Sequence, residues 1–386
     1  MYTSARAYAH QQGGLSMCII AGYAGNKPAA PILIEMLKKT EYIDGGLSTG
    51  IATIHEGKLY MRKVIGDVDT LLRETDALDL PGTTGIIHSR TGGNFVEHAH
   101  PFLSDDGKMA AVLNGTDWGG GNADFYAEER RIMNEFFEKG IKTRSAVPDP
   151  TPEKPKQLVL KNGHMFHVSE PFVLKIGEKI RNSKKEDLPR DIAKATKEAL
   201  EDLPIDIILA AVHEDIPDTI TVGTVTRPMA IALGDGEAYM CTTPFGLPEF
   251  LHKSSIIFLQ PTTVALLTPD GLNIRTTSFK YSRVEQIYFR IAKEIRLEFE
   301  KYLKVGRENA IDLYDIPFYT DWDKVWSKPL VDSNYVLENS RLKPVGPIIY
   351  EGLWSFYKEG RLKYELGTRT NSKGKETKIM KFWLEN

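Results

Sequence analysis

The chain has 386 residues, of which 41% are apolar and 26% charged, with a formal net charge of -3. That length is more than one ordinary small domain needs, and two units are expected, with the composition of a soluble globular protein. The charge balance excludes general nucleic-acid binding through an overall basic field. The two cysteines, Cys18 and Cys241, exclude a disulfide framework and point to a reducing cytoplasm, and no apolar run is long enough to span a bilayer.

In chain order, the first 16 residues lack the apolar stretch of a secretory signal. Residues 1–17 therefore read as a propeptide cleaved before Cys18, or as upstream sequence with Met17 as the true start. The second is expected, because codons for Gln12-Gly13-Gly14 can contain AGGAGG just ahead of the Met17 codon, where a bacterial ribosome-binding site sits. A short apolar strand is expected at 18–25 and a helix at 28–42, where Pro28 and Pro31 suit a helix start and Ile32, Met36 and Leu37 recur at helical spacing. Strands follow at 47–55 and 58–66, a helix at 68–78, strands at 83–90 and 108–116, and a helix at 123–140 with Phe125, Ile132, Phe136 and Phe137 towards one side.

Residues 144–186, dense in proline and lysine, read as an insertion with loops rather than a core layer. A helix at 188–203 is followed by strands at 205–214, 219–226, 228–243, 255–260 and 262–268, a run that predicts antiparallel sheets under covering helices. Beyond about 280 the pattern changes. A long amphipathic helix at 284–303, an irregular connection, a helix at 347–360 and a lysine-tipped hairpin at 361–384 predict a winged-helix-like module.

The chemistry starts at Cys18. A cysteine exposed by removal of the methionine before it carries a thiol nucleophile and a free α-amine, and that amine titrates at about 7.7–8.0, where a general base is most useful. Taken alone, Cys18 reads first as an ordinary buried strand cysteine. Arg90 alone is equally a surface ion-pair residue, and Asn114-Gly115 a hairpin turn. His98 and His100, two apart on one face of an expected strand, lack the companions of a metal site, so no metal and no cofactor are expected. Gly119-Gly120-Gly121 lacks the GK[ST] ending of a phosphate cradle, and Cys241 reads as a buried strand residue.

The succession of MCIIAGYAG, YIDGGLSTG, GTTGIIHSRTGG, HAHPF and LNGT, continued by PDTITVGTVTRPMAIALGDGEAYMCTT and IIFLQPTTVALLTPDGLNI, resembles the class II glutamine amidotransferases, most nearly the glutaminase domain of glucosamine-6-phosphate synthase. The resemblance runs from Cys18 to about 278. It implies an α+β fold, the four-layer α/β/β/α sandwich of N-terminal nucleophile hydrolases, over 18–278, with the winged-helix-like module at 279–386. It also implies that Cys18 is the nucleophile and its α-amine the base, that Arg90 grips the glutamine α-carboxylate, and that the Asn114 side-chain amide and the Gly115 backbone N–H form the oxyanion hole. Asp149 is then the candidate for the substrate ammonium, and Thr91 and His98 lie beside the substrate loop.

Two positions depart from the family pattern. Ile19 follows the nucleophile where glycine is usual, and Thr91 follows the arginine where an aromatic residue is usual. The family's sugar-phosphate isomerase domain has no counterpart after 280. The resemblance thus implies a cytoplasmic glutaminase that supplies ammonia to a synthase or acceptor subunit, or within a homo-oligomer, with no membrane or nucleic-acid partner. A stand-alone amidohydrolase acting on another amide and a non-catalytic glutamine sensor are the alternatives.

Overall fold

The computed structural model describes residues 18–43, 45–92, 94–116, 126–149, 158–203, 206–225, 227, 229–277, 279, 299–315, 346–370 and 376–385. The expectations for residues 1–17, Gly119-Gly120-Gly121, Phe125 and most of the helix at 284–303 lie outside them.

Two antiparallel sheets face each other. The first is assembled from β1 (Ile19–Ala24), β2 (Ser48–His55), β3 (Lys58–Ile65), β4 (Thr84–Arg90), and, far along the chain, β11 (Met229–Gly234), β12 (Glu237–Cys241) and β13 (Ile257–Leu259), in the order β13-β11-β12-β1-β4-β2-β3. The second contains β5 (Phe102–Leu103), β6 (Met109–Thr116), β9 (Asp206–His213), β10 (Ile220–Thr224), β14 (Thr263–Thr268) and β15 (Gly271–Thr276), in the order β15-β14-β10-β9-β6-β5. A short pair, β7 (Val147–Pro148) with β8 (His164–Met165), stands apart from both.

Alternation of side chains along each strand sorts the core into layers. Ile20, Ala24, Ile86, Val112, Ile208, Ala210 and Val222 fill the space between the sheets. Their chain neighbours Ile19, Ala21, Tyr23, Ile87, Leu113 and Leu209 point outward into a second cluster shared with the helices. Burying each such large aliphatic side chain contributes about 1.5–3 kcal/mol, so shifting any of these strands by one residue would exchange the two layers and is strongly disfavoured.

Helices α1 (Ala29–Lys38) and α2 (Val68–Glu74) cover the first sheet, with α1 burying Leu33, Ile34, Met36 and Leu37. Helices α4 (Glu170–Ile180) and α5 (Leu188–Asp202) cover the second, beside α3 (Ala127–Glu138). The molecule is therefore the expected four-layer α/β/β/α sandwich. One expectation needs correcting. Residues 144–186 were expected to be looped out, yet α4 lies within them and buries Phe172, Val173, Ile176 and Ile180 at helical spacing. The surrounding prolines and lysines hide this one amphipathic face from a reading by composition.

The hydrophobic cluster of the helix layer continues into the C-terminal segment. There α6 (Gly346–Lys358) is followed by the hairpin β16 (Leu362–Thr370) and β17 (Glu376–Leu384). Phe245 docks this segment, its ring 5.3 Å from Trp354 and 5.1 Å from Tyr364 in edge-on contacts. The Met380 N–H donates to the Tyr42 carbonyl at 2.8 Å. Among the described residues no helix is long and apolar enough to cross a membrane.

Candidate active site

The candidate site lies at one end of the two facing sheets, where β1 begins and β4 and β6 end. Antiparallel pairing sets Ile19 of β1 opposite Ser89 of β4, so the same register brings Cys18 opposite Arg90. From the other sheet, β6 brings Asn114 near its C-terminal end. The Asn114 Nδ2–H donates to the Cys18 carbonyl across the gap. The two sheets are also tied one step deeper, where the His88 ring Nε2 lies 3.1 Å from the Leu113 carbonyl. A carbonyl only accepts, so that nitrogen carries the proton.

Cys18 and Asn114 are buried, and Arg90 is half-buried. Burial pulls the Arg90 pKa below its ordinary value, with the Cys18 charge opposing the shift; the guanidinium nonetheless keeps its charge. Among the described residues its hydrogen bond is a long one, Nη1–H to the His98 carbonyl at 3.4 Å. Among the described residues no carboxylate lies within ion-pair distance of it. Thr91, next to it, has a buried hydroxyl with no hydrogen-bond partner among the described residues.

His98 joins the arginine to the segment carrying Asp149. Its Nε2–H donates to the Ser145 carbonyl at 2.9 Å. Ser145 is itself clamped: its backbone N–H and hydroxyl both donate to the buried Glu170 carboxylate at the start of α4, and its hydroxyl accepts the His167 N–H at 2.9 Å. Asp149 follows four residues later, half-buried, immediately after β7. Nothing in the residue pattern singles out Ser145 or Glu170; a short polar residue and an acid 25 positions apart carry no periodic signal.

The histidines differ from their sequence reading in one respect. His98 ends a 3-10 turn, Val96–His98, and His100 follows in a bend rather than on a strand. The segment presses onto β2 because residue 50 is glycine, where a Cβ would lie 2.1 Å from the His100 carbonyl oxygen. The rings of His88 and His100 lie tilted by 35° with centroids 4.0 Å apart, and His167 packs edge-on against His100 at 5.2 Å. Burial lowers all their pKa values, His88 to about 3 and His98 to about 4, with the Arg90 charge adding to the shift. They are neutral near pH 7.

Of the two departures from the family pattern, Ile19 lies in the outward helix layer, on the face of β1 opposite to Ile20. Cys241 is a buried residue of β12, its thiol pushed up to about 12 by burial. One residue was missed altogether. Arg227, buried in the turn between β10 and β11, donates from Nη1 to Asn114 Oδ1 at 2.7 Å. A cation in an otherwise apolar stretch, TVTRPMAIAL, was the available signal.

No protein-family model matches the chain. The glutamine–fructose-6-phosphate aminotransferase of Pyrococcus horikoshii is 26% identical over 297 residues, covering 74% of this chain and 43% of that protein. The aminotransferase of the same name from Aquifex aeolicus is 29% identical over 264 residues, covering 67% of this chain and 37% of that protein. The chain thus spans about two fifths of the length of the curated relatives it matches. Among solved structures, an allosteric regulatory enzyme of purine biosynthesis superposes with a TM-score of 0.50 at 16% identity, covering 75% of this chain and 59% of that one. That likeness concerns the fold alone. The sequence relatives and the fold agree with the resemblance to the class II glutamine amidotransferases carried by the motifs around Cys18, Arg90 and Asn114.

Proposed function

We propose that the chain is a glutaminase that hydrolyses the side-chain amide of glutamine through Cys18 and supplies the ammonia to an acceptor held by a partner. The observation that carries the reading is the desolvated Arg90 guanidinium, opposite Cys18 and without a carboxylate counterion among the described residues. Holding a desolvated cation without an anion is destabilising, and an incoming α-carboxylate would offset that cost with a bidentate pair of hydrogen bonds.

In this reading the Cys18 α-amine, once free of the residues before it, takes the thiol proton. Sγ attacks the glutamine amide carbon, and the negative oxygen is held by the Asn114 Nδ2–H and the Gly115 N–H. The amine returns the proton to the departing nitrogen, ammonia leaves, and a γ-glutamyl thioester remains. Water, deprotonated by the same amine, attacks the thioester and releases glutamate and the thiol. Arg90 binds the α-carboxylate, Asp149 the α-ammonium, and Thr91 and His98 shape the loop between them; Asn114 already donates one N–H to Cys18 and has a second for the oxyanion.

The nitrogen acceptor belongs to the part of the reading that concerns partners. The relatives are named for an aminotransferase reaction, and in this reading a synthase or acceptor subunit, or a homo-oligomer, consumes the ammonia in the cytoplasm. The test is a glutaminase assay joined to N-terminal mass analysis of the same preparation. Ammonia release by protein beginning at Cys18, lost in Cys18→Ala with glutamine still bound, is the expected result. Full activity in protein that retains Met17 would sink the proposal.

A further inference from the structure

We infer that Arg227 is a positioning residue of the oxyanion hole, which fixes the orientation of the Asn114 amide so that its N–H groups face Cys18. This rests on the glutaminase reading and adds to it a residue from a different part of the chain. The turn holding Arg227 is the crossing from β10 in one sheet to β11 in the other, so it stands at the same end of the sheets as Cys18 and Asn114. Thr224 pins the turn by donating its hydroxyl hydrogen to the Arg227 carbonyl. The Val225 N–H donates to the Ile207 carbonyl at 3.0 Å, and Ile207 and Ile208 pair with Gly115 and Asn114. The arginine is thereby indexed, through β9, to the two residues of the proposed oxyanion hole.

The chemistry of the contact decides the orientation. An asparagine amide can sit either way round in a pocket of its shape, and only its hydrogen-bond partners choose between the two. Arginine has donors and no acceptor. With Arg227 Nη1 2.7 Å from Oδ1, the flipped amide would face donor with donor and lose the bond to Cys18 O as well. A buried guanidinium on the amide oxygen also draws electron density from the nitrogen, which makes Nδ2–H a stronger donor to a developing oxyanion. A buried cation is a costly means of merely closing a turn, and Arg227 is 1% exposed.

The experiment compares Arg227→Met and Arg227→Lys in otherwise wild-type protein and in Asn114→Ala. We expect Arg227→Met to lower kcat on the order of tenfold to a hundredfold with KM for glutamine little changed, below the loss from removing an oxyanion donor outright. Lysine, which can still donate to Oδ1, should recover most of it. In the Asn114→Ala background the arginine change should cost no further rate, while the melting temperatures of the two changes still add. An equal loss of kcat in both backgrounds, or wild-type kcat in Arg227→Met, overturns the inference. Should Arg227→Met fail to fold, the side-chain amide signal of Asn114 in 15N-labelled protein, assigned by its loss in Asn114→Ala, is read in Arg227→Gln, which keeps a polar side chain but is too short to hold the contact to Oδ1. A changed shift and faster exchange support the inference, and an unaltered signal overturns it. An inactive wild type whose Asn114 signal still depends on Arg227 would sink the glutaminase reading alone; an active wild type whose signal ignores Arg227 would sink this inference alone.

Discussion

The end of the sheets around Cys18 and the C-terminal helix–hairpin treat buried charge in opposite ways. Around Cys18, Arg90 lacks a carboxylate partner among the described residues and burial keeps the nearby imidazoles neutral. In the C-terminal segment, the Asp312 carboxylate, 1% exposed, receives the Arg369 guanidinium and the Lys381 ammonium together, the latter at 3.1 Å. Its aromatic residues likewise close on one another around Phe245. Pairing each charge serves stability. Desolvating a cation and leaving its partner to arrive from solution costs stability and creates binding capacity.

That contrast can be broken most severely at Phe245. Phe245→Ala removes the ring against which Trp354, Tyr357 and Tyr364 pack, and should cost about 3–5 kcal/mol in chemical denaturation. The glutaminase kcat per folded molecule should stay within about twofold, since the ring packs against residues of the C-terminal segment and not against Cys18, Arg90 or Asn114; a large loss of kcat in folded protein would erase the distinction between the two regions. Arg90→Gln is the reverse case. It should raise KM for glutamine on the order of a hundredfold, as expected for a lost charge-assisted pair, while leaving the melting temperature unchanged or higher because a desolvated cation is gone. A clear fall in melting temperature would mean that Arg90 is structural.

Smaller effects sharpen the comparison through pH. Glu41 lies under the site, accepting from the Val68 N–H at 3.0 Å and the Ser89 hydroxyl at 3.3 Å, and burial raises its pKa to about 7. A carboxyl raised in the folded state contributes stability that is full below its unfolded pKa and is lost as pH rises through 7. Glu41→Gln should therefore gain about 2 kcal/mol over wild type at pH 8 and little at pH 5. Thermal melts at the two values check this, and equal gains at both would remove the assignment.

The imidazoles run the other way. His98, lowered to about 4 by burial and then by the Arg90 charge, is neutral when folded and protonated when unfolded between its two pKa values. Its contribution is complete above about 6.5 and declines towards pH 4, by about 1.4 kcal/mol per pH unit. His98→Asn should flatten the fall in melting temperature on acidification by that amount; an unchanged slope would show that His98 is already accessible to protons.

Much of this was legible because periodicity survives locally. The alternation Ile19-Ile20-Ala21 and the apolar runs 206–213 and 229–241 announce strands, and the spacing of Leu188, Ile192, Ala195 and Ala199 announces α5. The helix α4 was lost because its four apolar positions stand in a neighbourhood whose prolines and lysines dominate the average. Cys18, Arg90, Asn114 and Gly115 were singled out as candidates through the order of motifs, since a thiol, a guanidinium and a turn amide have no signature one at a time.

The sequence by itself determined the strands of the two-sheet sandwich and which residues near Cys18 to single out as candidates, because strand alternation and motif order are properties of neighbouring residues. Only the tertiary structure decided that Arg227 reaches Asn114, that Ser145 links His98 to Glu170, and that Arg90 is desolvated opposite Cys18. Those relations join positions separated by 25 to 113 residues, and hydrogen-bond direction and burial exist only once the sheets have closed on each other.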